Sequence, residues 1–574
     1  MTSLGVGFAQ ANTLDRPGDP VVLTGQRLPT LLSVTPSNIV VFRYHGGWEQ
    51  IPVRVDERRM ADFGVIYGGA PIGVATLMYA DAGTYTGADT NAQFDTDDEL
   101  VFMAKDAGDR APSNAHLPTG TLTNSPAELI VADPLTDGTG YVYVFRSDGS
   151  LDPGAGQDYV NYQFQLRAGT YPADYNLNKG PNPENSIISN AWYRWHFSDR
   201  WVQDKLNIYA GDSRGVDILD GHKILFAPGV CARSEDTFCA AEGAFIANKD
   251  GPVRGIRSYL GANSGRYTGR DHFFYERRHD LLTFLRVHII ASIADFYDYS
   301  VNALGMTYFN NLNTNGVRID GVPDAVATGA ITWEMATGEE GTVITISSVL
   351  TDIASLAYTS YYSDDSTPSV EQCTGDTNEY GTSGIWINQY IPNTDPDNGG
   401  TNHLTLVRID YYDAPDRSVA TAALRQLQAN TPLEVTVKNF QADADGDGLA
   451  DAWELAYFGN LSFGGSADND HDGVLNLTEY TAGSNPTNSA SCPHLDVGRT
   501  GGVVKISLLA PRAKGFGYTG LSRYSTLESN QNLGEMNWQP VPGFVDILGD
   551  DQSIIYPIPD ASLPAFYRLR YRLQ

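Results

Sequence analysis

Hydrophobic and polar residues alternate in short runs along most of this chain. Between about residues 20 and 150 the runs VVLTG, NIVVFRY, EQIPVRVDE, DELVFMAK, AELIVAD and GYVYVFRS follow one another, divided by Gly, Pro and Asp clusters. Apolar residues at every second position, bounded by turn formers, are the pattern of half-buried antiparallel strands. The spacing predicts a β-sandwich over residues 12–150. The acidic interval GADTNAQFDTDDE at 87–99 interrupts it, either as an insertion or as a further ion site.

Longer, more aromatic runs fill about residues 155–435, among them YVNYQFQLRA, NAWYRWHFS, GPVRGIRSYLG, DHFFYERR and LLTFLRVHII. Only SVATAALRQLQAN in that region carries helical spacing. The stretch from Tyr361 to Gly400, rich in Asp, Ser, Thr, Pro and Asn, predicts a long loop over a sheet face. After residue 491 the strand pattern returns in VVKISLLA, RYSTLES, QSIIYPIP and AFYRLRYRL. The expected fold class is all-β and multidomain: a sandwich at 12–150, a large super-sandwich at 151–440, short EF-hand-like calcium loop–helix repeats at 441–490, and a small C-terminal β-domain at 491–574.

Those repeats are read from spacing alone. Asp443 to Glu454 (DADGDGLADAWE) and Asp468 to Glu479 (DNDHDGVLNLTE) each match the twelve-residue pattern D-x-[DN]-x-[DN]-G-x5-E. The predicted ligands are Asp443, Asp445, Asp447, the Leu449 carbonyl, Asp451 and Glu454 in the first loop. In the second they are Asp468, Asp470, Asp472, the Val474 carbonyl, Asn476 and Glu479. Hard oxygens at alternate positions suit Ca2+, whose shell tolerates six to eight of them, better than the near-octahedral Mg2+. Only a short helix follows each loop, so the expected role is structural rather than that of a sensor that opens. About residues 441–490 resemble the calcium-binding repeats of the thrombospondin type 3 and dockerin kind, which join domains in secreted bacterial proteins. A dockerin usually lacks Glu at position twelve and has longer helices.

At 574 residues the chain exceeds one hydrophobic core, and its 41% hydrophobic and 11% aromatic content is that of a globular protein. A formal net charge of -31 argues against nucleic-acid binding and anionic membrane surfaces. No apolar run has the length to span a bilayer, so membrane insertion is not expected. Residues 1–11, ending in LGVGFAQA, read as the remainder of a signal peptide, which implies a secreted or cell-surface bacterial protein. Of four cysteines, Cys231 and Cys239 are spaced for a disulfide, while the pairing of Cys373 and Cys492 is left open. No zinc spacing, Walker loop, GxGxxG, haem motif, HExxH or nucleophile elbow is present.

Chemistry is densest from Arg254 to Tyr299. Period two puts His272, Phe274, Glu276 and Arg278 on one face, and Leu282, Phe284, Arg286 and His288 on one face of the next strand. Polar side chains interleaved with aromatics are how a sheet presents a sugar groove. The order GPVRGIRSYLGANSG then RDHFFYERRHDLLTFLRVH resembles the central strands of the galactose-mutarotase-like super-sandwich of polysaccharide lyases and related carbohydrate-active proteins. For elimination on a uronic-acid polymer, the candidates are His272 or His288 as base, Tyr275 as acid, and Arg286 or Arg257 as charge stabiliser. A glycosidase would draw instead on Glu276, Asp271, Asp295 and Asp298. The expected partner is a polysaccharide or other glycan. A polysaccharide lyase or glycoside hydrolase stands beside a non-catalytic glycan-binding, adhesion or assembly protein, and the sequence leaves the oligomeric state open.

Overall fold

The structure is a computed structural model; it describes residues 10–112, 115–122, 126–175, 180–209, 215–226, 234–240, 243–262, 265–367, 378–440, 442–532, 537–558 and 566–574. Strands dominate throughout, every ladder between them is antiparallel, and the chain builds several packed layers. No helix among the described residues is long and apolar enough to cross a membrane.

The N-terminal sandwich packs a three-stranded sheet, Pro20–Thr24, Glu99–Met103 and Arg54–Asp56, against a five-stranded one. Leu23, Leu100, Phe102, Leu129, Val142 and Val144 meet between them as the alternation requires. One edge of the five-stranded sheet corrects the expected boundary at residue 150. The strand Glu434–Asn439, placed by sequence in the large module, pairs in register with Ala127–Ala132 from Glu434 opposite Ala132 to Asn439 opposite Ala127. The chain thus returns to the sandwich before entering the acidic loops. Alternation marks a strand but cannot say which edge it joins.

The large module faces a nine-stranded antiparallel sheet against two four-stranded sheets. Its central strands are Gly255–Ala262, Gly265–Phe274, Arg278–Phe284, Leu404–Asp413 and Gly341–Thr351. Trp195 and Tyr297 from the facing sheets reach across to it, the Trp195 indole N–H donating to Tyr412 Oη at 2.9 Å. The outer face is covered at one end by the hairpin Arg58–Asp62 and Ala75–Tyr79. At the other end lies the helix Val419–Asn430, which seats Ala422 against Ile344, Ile346 and Tyr411. Arg16 ties sandwich to module, donating to Asp133 at 2.9 Å and to the Gln428 carbonyl at 2.8 Å.

The loop predicted from Tyr361 to Gly400 contains sheet as well: Thr359–Asp365 and Glu379–Ile387 are paired strands, while residues 388–400 are loop; residues 368–377 lie outside the described set. Several of their buried positions are polar, among them Ser360, Asp364, Thr382 and Ser383, with Thr382 Oγ1 donating to buried Asp298 at 2.7 Å, so the hydrophobic period that marks other strands is interrupted here. Cys231 and Cys373 also lie outside the described residues. Cys239 is a buried thiol that accepts from the Trp201 amide at 3.2 Å, and Cys492 is free.

Candidate metal centres and the buried polar core

Each acidic loop winds into a tight coil because glycine occupies its sixth position, Gly448 at φ +92° and Gly473 at φ +91°. His471 takes the left-handed region at φ +61°, where the first loop has Gly446 at +73°. Asp443 caps its own loop, accepting from Gly446 N at 2.8 Å and Gly448 N at 3.0 Å. The loops then run into the helices Asp451–Phe458 and Asn476–Ala482, which end on left-handed Gly459 and Gly483. Glu454 and Glu479 sit in the first helical turns, where the charges of the loop aspartates act on them.

The result is two clusters that can hold a metal ion. Ligand oxygens of Asp443, Asp445 and Asp447 lie within 4.8 Å of one another, as do those of Asp468, Asp470 and Asp472. Glu454 is fully buried, and neither of its carboxylate oxygens has a hydrogen-bond partner among the described residues. Burial, together with Asp447, Asp445, Asp451 and Asp443, pushes its carboxyl up to about 8. Glu479 is pushed up to about 7, chiefly by burial. One Glu479 oxygen accepts from Ser484 Oγ at 3.0 Å while the other is buried without a partner. Asp468, Asp470 and Asp472 each leave one buried oxygen likewise unpartnered. Buried acceptors in this number are costly unless a cation satisfies them.

Position nine also braces each coil from within. Asp451 accepts from Ala444 N at 2.7 Å, and the single side-chain oxygen of Asn476 accepts from Asn469 N at 3.3 Å. Both residues close the coil on its second residue, and Asn476 also donates to the Gly464 carbonyl at 3.1 Å. Leu449 is buried with Trp453 and Tyr480, and Val474 holds the matching seventh position of the second loop. Sequence reasoning missed two supports. Ser484 orients Glu479, and Gly465 N donates to Asp447, linking the first loop to the approach of the second. Neither belongs to the loop pattern, so only the fold could supply them.

The predicted catalytic residues are not gathered into one site. His272 is fully buried between the sheets, with Nδ1 3.1 Å from His279 Nε2 and Nε2 3.1 Å from Tyr259 Oη. Burial and His279 hold it well below the usual histidine range, so it is neutral. Arg257, its register neighbour, is fully buried in a bidentate pair with Glu184 at 2.6 and 2.9 Å. Tyr275 lines a 260 Å³ cleft beside Arg16, Asp19 and Arg278. Arg286 lines a separate 610 Å³ cavity on the outer sheet face, and His288 is half exposed, 3.6 Å from Asp395. The strand ends at Phe274, so Glu276 and Arg278 leave the face that period two had given them; the next strand ends at Phe284, before Arg286 and His288.

The four carboxylates are also dispersed. Asp295 and Asp298 are sealed in the core on His222 and Lys223 at 2.9 Å each, Glu276 pairs with Lys105, and Asp271 lines the outer cavity. The polar character that suggested an exposed groove belongs mainly to an enclosed network, in which Asp410 takes hydrogen bonds from Tyr297 at 2.5 Å and Thr345 at 2.7 Å. In the aromatic run NAWYRWHFS, Tyr193 and Trp195 are core residues and Trp192 lies under Arg277 at 3.9 Å.

No protein-family model matches this chain, and no curated protein matches it in sequence.

Proposed function

We propose that this chain is a secreted, calcium-braced modular protein whose large β-module binds a ligand rather than transforming one. The observation that carries the metal reading is Glu454, a fully buried carboxylate with no hydrogen-bond partner among the described residues, standing beside three converging aspartates. All the side-chain donors are oxygens, the set that a large hard cation takes. Asp443, Asp445, Asp447 and Glu454 would hold one Ca2+, and Asp468, Asp470, Asp472 and Glu479 the other. Each ion would cancel the repulsion among its carboxylates and fix the coil between the sandwich and the C-terminal β-domain.

Ligand binding by the large module is supported by the 610 Å³ cavity on its outer face, within the usual range for small-molecule sites. A lyase or hydrolase reading lacks that support, since its acid, base and stabiliser stand in different places and two are sealed.

Titration of chelator-stripped protein by calorimetry tests the metal reading. Two Ca2+ are expected per chain, with Mg2+ a poor competitor, and a higher melting temperature in calcium than in EDTA. Absence of binding heat together with superimposable melts would rule the reading out.

A further inference from the structure

Four charged residues line the outer cavity of the large module; Arg58 is paired with Glu99 at 2.9 Å and Arg270 is buried against Thr283, which leaves Asp271 and Arg286 among apolar walls. At its floor Asp271 accepts from Ser258 Oγ and has no cation within ion-pair reach among the described residues. Asp271 stands opposite Leu282 in the ladder and Gly269 opposite Phe284, where the strand ends, and Arg286 follows two residues beyond that end. Four residue steps separate Leu282, at the level of Asp271, from Arg286, a chain reach of at most about 14 Å. Arg286 is half-buried; it donates to the Leu285 carbonyl at 3.1 Å, and Asp352 acts on it only from a distance. Between the two ends the walls are Phe273, Phe284 and Leu260, and the hairpin roofs them with Phe63 and Leu77.

Burial acts on both charged groups in the sense expected of ions short of partners: it pushes Asp271 up to about 6 and pulls Arg286 down. A neutral saccharide would serve Asp271 with hydroxyls but leave the guanidinium without a counter-charge. A fatty carboxylate would serve Arg286 and press its tail on an acid. The occupant matched to both ends has a cation, an apolar middle and an anion in that order.

We propose that this cavity binds a short peptide with apolar side chains, its terminal ammonium on Asp271 and its terminal carboxylate on Arg286. At ~3.5 Å per extended residue, and allowing for the reach of the arginine, about three residues span the interval. The inference rests on the ligand-binding reading of the module and names what it takes.

The test is calorimetry on the full chain in calcium with Leu-Phe-Leu, its N-acetylated form, its C-terminal amide, maltotriose and a galacturonate trimer. Free Leu-Phe-Leu is expected to bind, and blocking either end to weaken it at least tenfold. In Asp271→Asn the N-acetyl penalty should vanish while the amide penalty persists; Arg286→Gln should show the converse. These selectivity changes are internal to each variant, so a general loss of fold cannot imitate them. Equal affinity of free and blocked peptides would overturn the proposal. Binding of a saccharide but not the peptide, weakened by Phe284→Ala, would overturn the peptide and keep the ligand-binding reading. No binding by any probe would overturn both.

Discussion

Tyr480 and Tyr518 stack with ring centres 5.0 Å apart and planes 16° from parallel, and each hydroxyl is spent on the other's strand of chain. Tyr518 Oη donates to the Tyr480 carbonyl at 2.7 Å, and Tyr480 Oη donates to the Gly517 carbonyl at 2.8 Å. Arg523 closes the contact, lying 4.7 Å over the Tyr518 ring and donating to the Thr481 carbonyl at 2.8 Å. The helix after the second acidic loop is thereby fastened to the C-terminal β-domain. At the other end of the loops, Phe440 packs edge-on against Tyr143 at 5.2 Å in the sandwich. The loops are thus held between the N-terminal sandwich and the C-terminal β-domain.

Removing that clasp should free the C-terminal domain before the rest unfolds. Tyr518→Phe loses one hydrogen bond and should cost about 1 kcal/mol; Tyr480→Ala, which empties a buried aromatic site, should cost about 3 kcal/mol. Limited proteolysis should cut the Tyr480→Ala protein between residues 483 and 495 while the sandwich stays intact. A cleavage pattern identical to that of the parent would contradict the clasp.

Glu454→Gln should lower calcium stoichiometry from two to one, because position twelve supplies a bidentate carboxylate. In EDTA the same variant should melt at or above the parent, since Glu454, pushed up to about 8 beside Asp443, Asp445 and Asp447, must take up a proton on folding near neutral pH and an amide need not. In calcium the order should reverse. Parallel melts in the two buffers check both signs.

Arg257→Ala should destabilise by about 3–5 kcal/mol, because it strands Glu184 without its counter-ion in the core. Replacing both partners, as in Arg257→Met with Glu184→Leu, should recover most of that loss. Denaturant titrations of the three proteins decide this. A single variant as stable as the parent would argue that the pair is not sealed.

Stability should fall from mildly acidic to alkaline pH in part through Glu334, which burial pushes up to about 7 against the opposing pull of Arg408. Its folded value lies above the ordinary 4.5, so the folded chain holds the proton more tightly than the unfolded one. This contribution is complete below about pH 4.5 and is lost as pH rises through 7. Glu334→Gln should therefore flatten the dependence of the denaturant midpoint between about pH 5 and 8. An unchanged slope would place the titration elsewhere.

The sequence by itself determined the strand-built character of the chain and the chemistry of its acidic loops. Both are local: alternation reports which side of a strand is buried, and the loop residues lie within reach of each other by covalent spacing alone. Glu454 and Glu479 needed no tertiary information to be found. Tertiary structure alone decided that Glu434–Asn439 closes the N-terminal sandwich, because edge pairing depends on partners some 300 residues away. It also decided the fate of His272 and Arg257. A polar residue on a strand reads as exposed, yet here Tyr259 and His279 on neighbouring strands of the same sheet reach His272, and Glu184 from outside that sheet reaches Arg257, so burial becomes affordable only once those partners arrive.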